Sequence, residues 1–488
     1  MRHFDTAYAA SANIPVAHCA YHSPTVEVLP DNVLLEIFDL DRLSSTGRSW
    51  EHPWQWNRLI HVCQRWRCLI FSSPRRLDLR LFCSNGTPVK ETLRFWPELP
   101  IVMRYGGVPK SKPPSPEEEE NLVTALRQPD RIYEIWLTIT ASLWDQLAAE
   151  MQRTMPSLET LKLMAQDMPE LLLPDDFLGG SAPHLSVINL NGVAFPALPK
   201  LLLSTSNLVS LELWEIPRSG YITPEALTMG LSAMTQLKSL TIYFDFTMSR
   251  SHIPTPSLGH MVLPALTRLK FYGVIKYLEA IVARIDTPLL DHADLKFFDT
   301  LAFEIPHLSH FIRRTSQLGS PTHAQIASSG IGFSLGLFHL PRTPTTTISR
   351  RLRLQITCMH FNGQLSAIPP ISSQLSPFLS GVRLLELYAF PSLPNGSKDI
   401  DSARWVELLQ PFSKVEKLCV AAEVVLDIAR VLQRVTAEPD LELLPALRAL
   451  LLENSREFTD AREVITPFMS ARELSGHPII LRNWIKKG

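Results

Sequence analysis

Leu208-Val209-Ser210-Leu211-Glu212-Leu213-Trp214 places three leucines in an L-x-x-L-x-L order. In an extended strand successive side chains alternate between faces, so Leu211 and Leu213 point one way and Glu212 and Trp214 the other. The same spacing of large apolar residues occurs at Ile132/Ile135/Leu137, Leu158/Leu161/Leu163, Leu185/Ile188/Leu190, Leu237/Leu240/Ile242 and Leu266/Leu269/Phe271. In chain order these triplets start 26, 27, 23, 29 and 29 residues apart. A strand that returns at a near-constant interval is the dominant organising signal of the chain.

The interval lies within the leucine-rich-repeat period of roughly 20 to 29 residues. Each strand-plus-helix unit has an apolar face that it cannot bury alone, and stacking the units closes one continuous core. The expected fold is therefore α/β, an irregular leucine-rich-repeat-like solenoid over 74–488. Where Asn or Cys normally ties the turn of such a repeat, this chain carries Gln166, Val193, Ile216, Asp245 and Val274. Helices are legible between strands. Ser115 is placed to cap, Pro116 to open the helix, Glu117 to Glu120 to face the positive end of its dipole, and Leu122, Val123 and Leu126 to point inward. Leu143, Leu147 and Met151 fall four apart on another. Past Asp291 the period blurs, with an irregular middle at about 291–350 rich in Ser, Thr, Pro and Gly. It returns at Val382/Leu385/Leu387, Val415/Leu418/Val420 and Leu447/Leu450/Leu452, whose starts are 33 and 32 residues apart. Trp405 to Leu409 and Val424 to Val435 read as helices between them.

Composition agrees with a folded chain of more than one domain. The 488 residues are 45% hydrophobic and 19% charged, which excludes wholesale disorder. Lys plus Arg total 47 against 48 Asp plus Glu, so no net field draws the protein to nucleic acid or to an anionic membrane. The six cysteines include no CxxC pair and read as reduced thiols of a cytoplasmic or nuclear protein. No apolar run approaches the roughly 18 residues of a membrane helix. Residues 1–24 are expected to be a flexible tail without a secretory leader. Asn85-Gly86-Thr87 and Asn395-Gly396-Ser397 read as Asn-Gly turns.

A separate helical module is expected over 25–73. Leu29-Pro30-Asp31 opens a short helix, with Leu34, Ile37 and Phe38 at helical spacing on one face. After a polar insertion from Asp41 to Gln55, a second helical pattern begins near Trp56 and carries Leu59, Val62, Cys63, Trp66, Leu69 and Ile70. Two short helices hold more large apolar side chains than they can bury on each other, which suggests a partner surface.

Leu29-Pro30, Ile37-Phe38 and Val62-Cys63-Gln64-Arg65-Trp66-Arg67 resemble the LP start, IF pair and VCxxW helix of the F-box. Ser73 to Leu79, Leu208 to Tyr221 and Ala471 to Pro478 resemble recurring phrases of the F-box-like families of mushroom-forming fungi. The resemblance implies docking onto the Skp-type adaptor of an SCF-type cullin-RING ubiquitin ligase through Leu29, Pro30, Leu34, Ile37, Phe38, Leu59, Val62, Cys63 and Trp66. The repeats would then hold a target protein, the chemistry would belong to partner subunits, and no cofactor is called for.

Strand alternation nominates a target-binding face. The outward positions after the last apolar residue of each triplet are Met164, Asn191, Trp214, Tyr243 and Tyr272, and those between are Lys162, Asn189, Glu212, Thr241 and Lys270. Trp214, Tyr243 and Tyr272 would form an aromatic row flanked by Glu212 and Lys270, and Trp and Tyr are enriched at binding hot spots. The competing expectation is that a loop folds over the row and makes it a minor core.

Catalytic patterns are sparse. Gly332-Phe333-Ser334-Leu335-Gly336 matches G-x-S-x-G, but the residues after it make a poor helix, so a serine hydrolase at Ser334 is the weaker alternative. His307 and His310 lack the carboxylate-bearing set of a metal site. His477 sits at a helix stop. A protein-interaction scaffold outside ubiquitin ligation is the remaining alternative.

Overall fold

The computed structural model describes residues 29–44, 55–74, 76–96, 98–106, 115–167, 170–244, 260–298, 305–315, 318, 321–329, 332–338, 353–359, 368–389, 402–437, 443–453 and 458–484. The tail expected over 1–24 and the Asn395-Gly396-Ser397 turn lie outside these residues. The chain divides into two units after Arg80.

The first unit contains α1 (Asp31–Ser44), α2 (Gln55–Ile60) and α3 (Gln64–Ser72), packed on one another. Pro30 starts α1, its carbonyl accepting from the amides of Val33 and Leu34 at 3.0 and 3.1 Å. Arg65 fixes this start by donating through Nη2 to the Leu29 carbonyl and the Asp31 carboxylate, both at 2.6 Å. The second helical pattern is not continuous. Cys63 takes an extended conformation (φ −157°, ψ 170°) and its Sγ accepts from the Trp66 amide, so the pattern breaks into α2 and a capped α3.

The second unit is an α/β array. Its strands are β1 (Leu81–Ser84), β2 (Ile101–Tyr105), β3 (Ile132–Ile139), β4 (Thr160–Ala165), β5 (Leu171–Leu172), β6 (Val187–Asn191), β7 (Val193–Ala194), β8 (Ser210–Ile216), β9 (Ser239–Phe244), β10 (Met261–Val262), β11 (Arg268–Gly273), β12 (Ile285–Asp286), β13 (His292–Phe297), β14 (His323–Ser329), β15 (Gly332–Phe338), β16 (Arg353–Met359), β17 (Leu384–Ala389), β18 (Lys417–Val420), β19 (Ala449–Glu453) and β20 (Ile480–Trp484). Its helices are α4 (Val89–Phe95), α5 (Pro116–Leu126), α6 (Ala141–Leu147), α7 (Leu198–Leu202), α8 (Pro224–Leu231), α9 (Ile275–Val282), α10 (Pro306–Arg314), α11 (Ile368–Leu379), α12 (Ser402–Leu409), α13 (Val425–Ala437) and α14 (Phe458–Leu474).

Among the described residues one sheet runs β1-β2-β3-β4-β6-β8-β9-β11-β13-β16-β15-β14-β17-β18-β19-β20. It is parallel except where β15 pairs antiparallel with β14 and β16. The helices α7 to α14 pack each on the next as a second layer. Within each triplet the last two apolar residues are in register across strands: Leu161, Ile188, Leu211, Leu240 and Leu269 form one inward row, and Leu163, Leu190, Leu213, Ile242 and Phe271 the next. All ten are buried, each contributing roughly 1.5 to 3 kcal/mol of hydrophobic stabilisation.

From β4 onward the first apolar residue of each triplet lies just ahead of its strand, whereas Ile132 opens β3 itself. Leu158, Leu185, Leu208, Leu237 and Leu266 are buried there, each donating its amide to the carbonyl three residues back. The same turn recurs at Leu290, where Leu290/Ala293/Leu295 forms a further unit with β13 in register on β11. The array is thus still regular at Asp291, where the sequence pattern blurs only because alanine replaces the central leucine.

Sequential order then breaks. From β13 the chain passes three places along the sheet to β14, returns through β15, and sets β16 beside β13, while β17 joins the far side of β14. Gly332–Phe338 is continuous strand, without the strand-to-helix turn that a nucleophile elbow requires. The α5 helix starts as expected, with a reciprocal capping box between Ser115 and Glu118, though Ala125 rather than Val123 joins Leu122 and Leu126 in the core. Leu143, Leu147 and Met151 are all buried, but α6 ends at Leu147 and Met151 sits on a separate 3-10 turn, Glu150–Gln152, so the three do not share one helix.

Candidate interaction surfaces

On α1 the apolar residues separate into two stripes. Leu34, Leu35 and Phe38 are buried, and the Phe38 ring meets that of Trp66 edge to face. Val33, Ile37 and Leu40, spaced by four and then three residues, stay exposed, Ile37 at 42% and Leu40 at 62%. Ile37 therefore does not share the face of Leu34 and Phe38. Val62, between α2 and α3, is 58% exposed. Of the remaining residues of the sequence motif, Pro30 and Cys63 are exposed and Leu29, Leu59 and Trp66 half-buried. Cys68 is exposed as well. Val33 and Leu40 lie outside the motif, and their spacing with Ile37 was the signal available for them.

The outward face of the sheet carries the second cluster. Register aligns Lys162, Asn189, Glu212, Thr241 and Lys270 in one row, and Met164, Asn191 and Trp214 in the next, as strand alternation predicts. Between β8 and β9 the second row is interrupted: Leu213 pairs with Ile242 and Ile216 with Phe244, so Trp214 and Glu215 together face Tyr243. Glu215 accommodates this bulge with φ +50°, and the extra residue keeps both Ile216 and Phe244 buried. Tyr243 and Tyr272 are in register again.

The rings do form a row. Trp214 and Tyr243 stand edge to face with centroids 6.2 Å apart, Tyr243 and Tyr272 at 4.4 Å, and Tyr272 and Phe298 at 4.6 Å. Trp214, Tyr243 and Tyr272 are half-buried, and burial raises the pKa of the Tyr272 phenol. The Glu212 carboxylate organises the near end of the row, accepting from Asn189 Nδ2 at 2.9 Å, Trp214 Nε1 at 3.2 Å and Ser210 Oγ at 3.2 Å. A groove of about 360 Å³ opens over the row, its wall completed by Lys270, Asp294 and Lys296. Asp294 and Lys296, on the outward side of β13, were missed with the Leu290 unit itself.

A third cluster lies across β14 and β17. Glu386 accepts from Gln325 Nε2 at 2.8 Å and Tyr388 Oη at 2.7 Å, and His323 Nε2 lies 3.4 Å from its other oxygen. Burial would raise the Glu386 carboxyl, but the contacts with His323, Tyr388 and Gln325 prevail and hold it below the ordinary carboxylate value. Burial, reinforced by Glu386, pushes the Tyr388 phenol well up. In the sheet core, burial pushes the thiols of Cys83 and Cys419 up to about 12. His307 and His310 are both exposed on α10, and no group of three or more metal-ligating side chains assembles among the described residues. Nor is any helix among them long and apolar enough to cross a membrane.

What the fold and these surfaces define is a mixed α/β protein with a repeated parallel sheet. No family model and no curated protein matches the chain. Among solved structures, one titled "Crystal structure of TLR13-ssRNA13 complex" is similar at 12% identity and a TM-score of 0.30, over 76% of this chain and 42% of that one. The chain thus spans less than half of that structure's length, and so slight a likeness assigns no function.

Proposed function

We propose that the protein is a recognition subunit of an SCF-type cullin-RING ubiquitin ligase, with the first unit docking a Skp-type adaptor and the outward sheet face capturing a target protein. The exposed Val33, Ile37 and Leu40 stripe carries this reading. A helix that has already buried Leu34, Leu35 and Phe38 keeps a second apolar stripe in solvent, and such a surface is what a partner would cover. It sits within the segment bearing the LP, IF and VCxxW elements of the F-box resemblance. In this reading ubiquitin transfer belongs to partner subunits, the chain needs no cofactor, and its compartment is the cytoplasm or nucleus.

Affinity purification with mass spectrometry under proteasome inhibition tests the proposal. Adaptor, cullin and a stabilised target recovered together would support it. Adaptor without cullin would favour a second reading, a repeat scaffold outside ubiquitin ligation. Absence of the adaptor would overturn the F-box reading.

A further inference from the structure

The groove over β8 to β13 holds polar groups that its own side chains leave unmatched. Lys270 faces Asp294 in register across β11 and β13, and Tyr272 faces Lys296 two residues further on. Both ammonium groups nevertheless lean over rings, Lys270 Nζ 6.0 Å from the Trp214 centroid and Lys296 Nζ 5.8 Å from that of Tyr272. Asp294 Oδ1 is buried and has no hydrogen-bond partner among the described residues. Buried polar atoms are nearly always partnered, so this oxygen marks the place of a missing donor. Glu212 does not line the groove, so its charged lining is Lys270 and Lys296 against the single carboxylate of Asp294.

Resting on the reading of this face as the target site, we infer that the groove takes an extended acidic segment of the target protein. An Asp or Glu carboxylate of the segment meets Lys270 and Lys296, and a neighbouring peptide N–H donates to Asp294. Charge complementarity selects this occupant. A basic side chain would meet two ammonium groups against the one carboxylate of Asp294, whereas a carboxylate draws both ammonium groups from the rings and forms charge-assisted hydrogen bonds. An extended chain presents its N–H groups and side chains in alternation at a rise of roughly 3.3 Å per residue, which suits adjoining donor and acceptor positions on β11 and β13. The rings supply the apolar floor against which the rest of the segment packs.

A phage-displayed library of random dodecapeptides, selected against the full chain, provides the probe. The expected outcome is enrichment of Asp or Glu beside an apolar residue, with no net gain of Lys or Arg. Fluorescence polarisation of a labelled selected peptide should then show affinity falling by about ten-fold or more in the Lys270→Ala/Lys296→Ala variant, in the peptide's own Asp→Asn form, and with rising ionic strength. Asp294→Ala, which removes the acceptor, should weaken binding while leaving the salt dependence in place. Enrichment of basic peptides, no enrichment, or unchanged affinity in the lysine variant would overturn the inference. If a selected peptide loses binding with Trp214→Ala/Tyr243→Ala/Tyr272→Ala but not with the lysine variant, the sheet face survives as the target site and only its acidic preference fails. If the peptide binds every variant equally, both readings fail.

Discussion

Phe38 of α1 and Trp66 of α3 meet edge to face, their ring centroids 4.7 Å apart and their planes at 61°. Phe38 is buried and Trp66 half-buried, so the pair holds the first unit together. Phe38→Ala should cost about 3 to 5 kcal/mol and lower the urea midpoint of that unit, whatever the adaptor does. A loss of adaptor capture in that variant therefore reports unfolding as readily as docking.

The exposed stripe separates the two effects. Ile37→Asp and Leu40→Asp place a charge where the side chain already meets water, so circular dichroism and melting temperature should stay near wild type. Adaptor co-purification should disappear, because a partner would have to bury an unpaired carboxylate. Undiminished adaptor capture by the folded double variant would leave the stripe without its assigned partner.

Gly106, just after β2, adopts φ +83°, and a Cβ there would stand 2.4 Å from Thr138 Oγ1 and 2.5 Å from Thr138 Cβ on the neighbouring β3. Gly106→Ala thus combines a left-handed backbone with a collision, and should destabilise the second unit by more than about 1 kcal/mol. Thr138→Ala should restore only a small part of that loss, because it removes Oγ1 but leaves Cβ 2.5 Å away and the backbone strain in place. Equal stability of Gly106→Ala and wild type in urea would contradict this packing of β2 on β3.

Glu386 gives a pH dependence of defined sign. Its folded pKa lies below the ordinary value of 4.5, so the folded state favours the carboxylate. The resulting stabilisation is present above that ordinary value and is lost as pH falls through the folded one. Glu386→Gln should therefore be less stable than wild type at about pH 7, and the gap should narrow towards about pH 3.5. Urea midpoints measured across that range decide it. A gap that widened on acidification would reverse the sign.

Much of the array was legible because the core of a repeat is a one-dimensional pattern. Leu211 and Leu213 announce a strand by themselves, and their counterparts in neighbouring repeats set the register. The Leu290/Ala293/Leu295 unit escaped because Ala293 is small, although it is fully in line with Leu269. The reversed order of β14, β15 and β16 was not legible at all, since strand pairing across the sheet is a tertiary choice that local periodicity does not encode. Nor does helical spacing alone separate Ile37 from Phe38: adjacent residues of α1 point to different stripes, and which stripe is buried depends on where α3 packs. The bulge at Glu215 was equally hidden, because alternation predicts Trp214 correctly whether or not an extra residue follows it.

The aromatic row supplies the last test. Trp214, Tyr243 and Tyr272 touch in sequence at 6.2 and 4.4 Å, and each such pair contributes about 0.5 to 1.5 kcal/mol beyond its buried area. Their replacement by alanine also frees the Glu212 carboxylate of the Trp214 N–H. The triple variant should accordingly melt a few degrees below wild type without losing its fold, since the inward rows of Leu211, Leu240 and Leu269 remain intact beneath it. Under the proposed function, target capture should be abolished and adaptor capture retained, because the exposed Val33, Ile37 and Leu40 stripe belongs to a separate unit of the chain. Collapse of the fold in the triple variant would place the row in the core, and wild-type target capture by a folded triple variant would move the recognition surface elsewhere on the array.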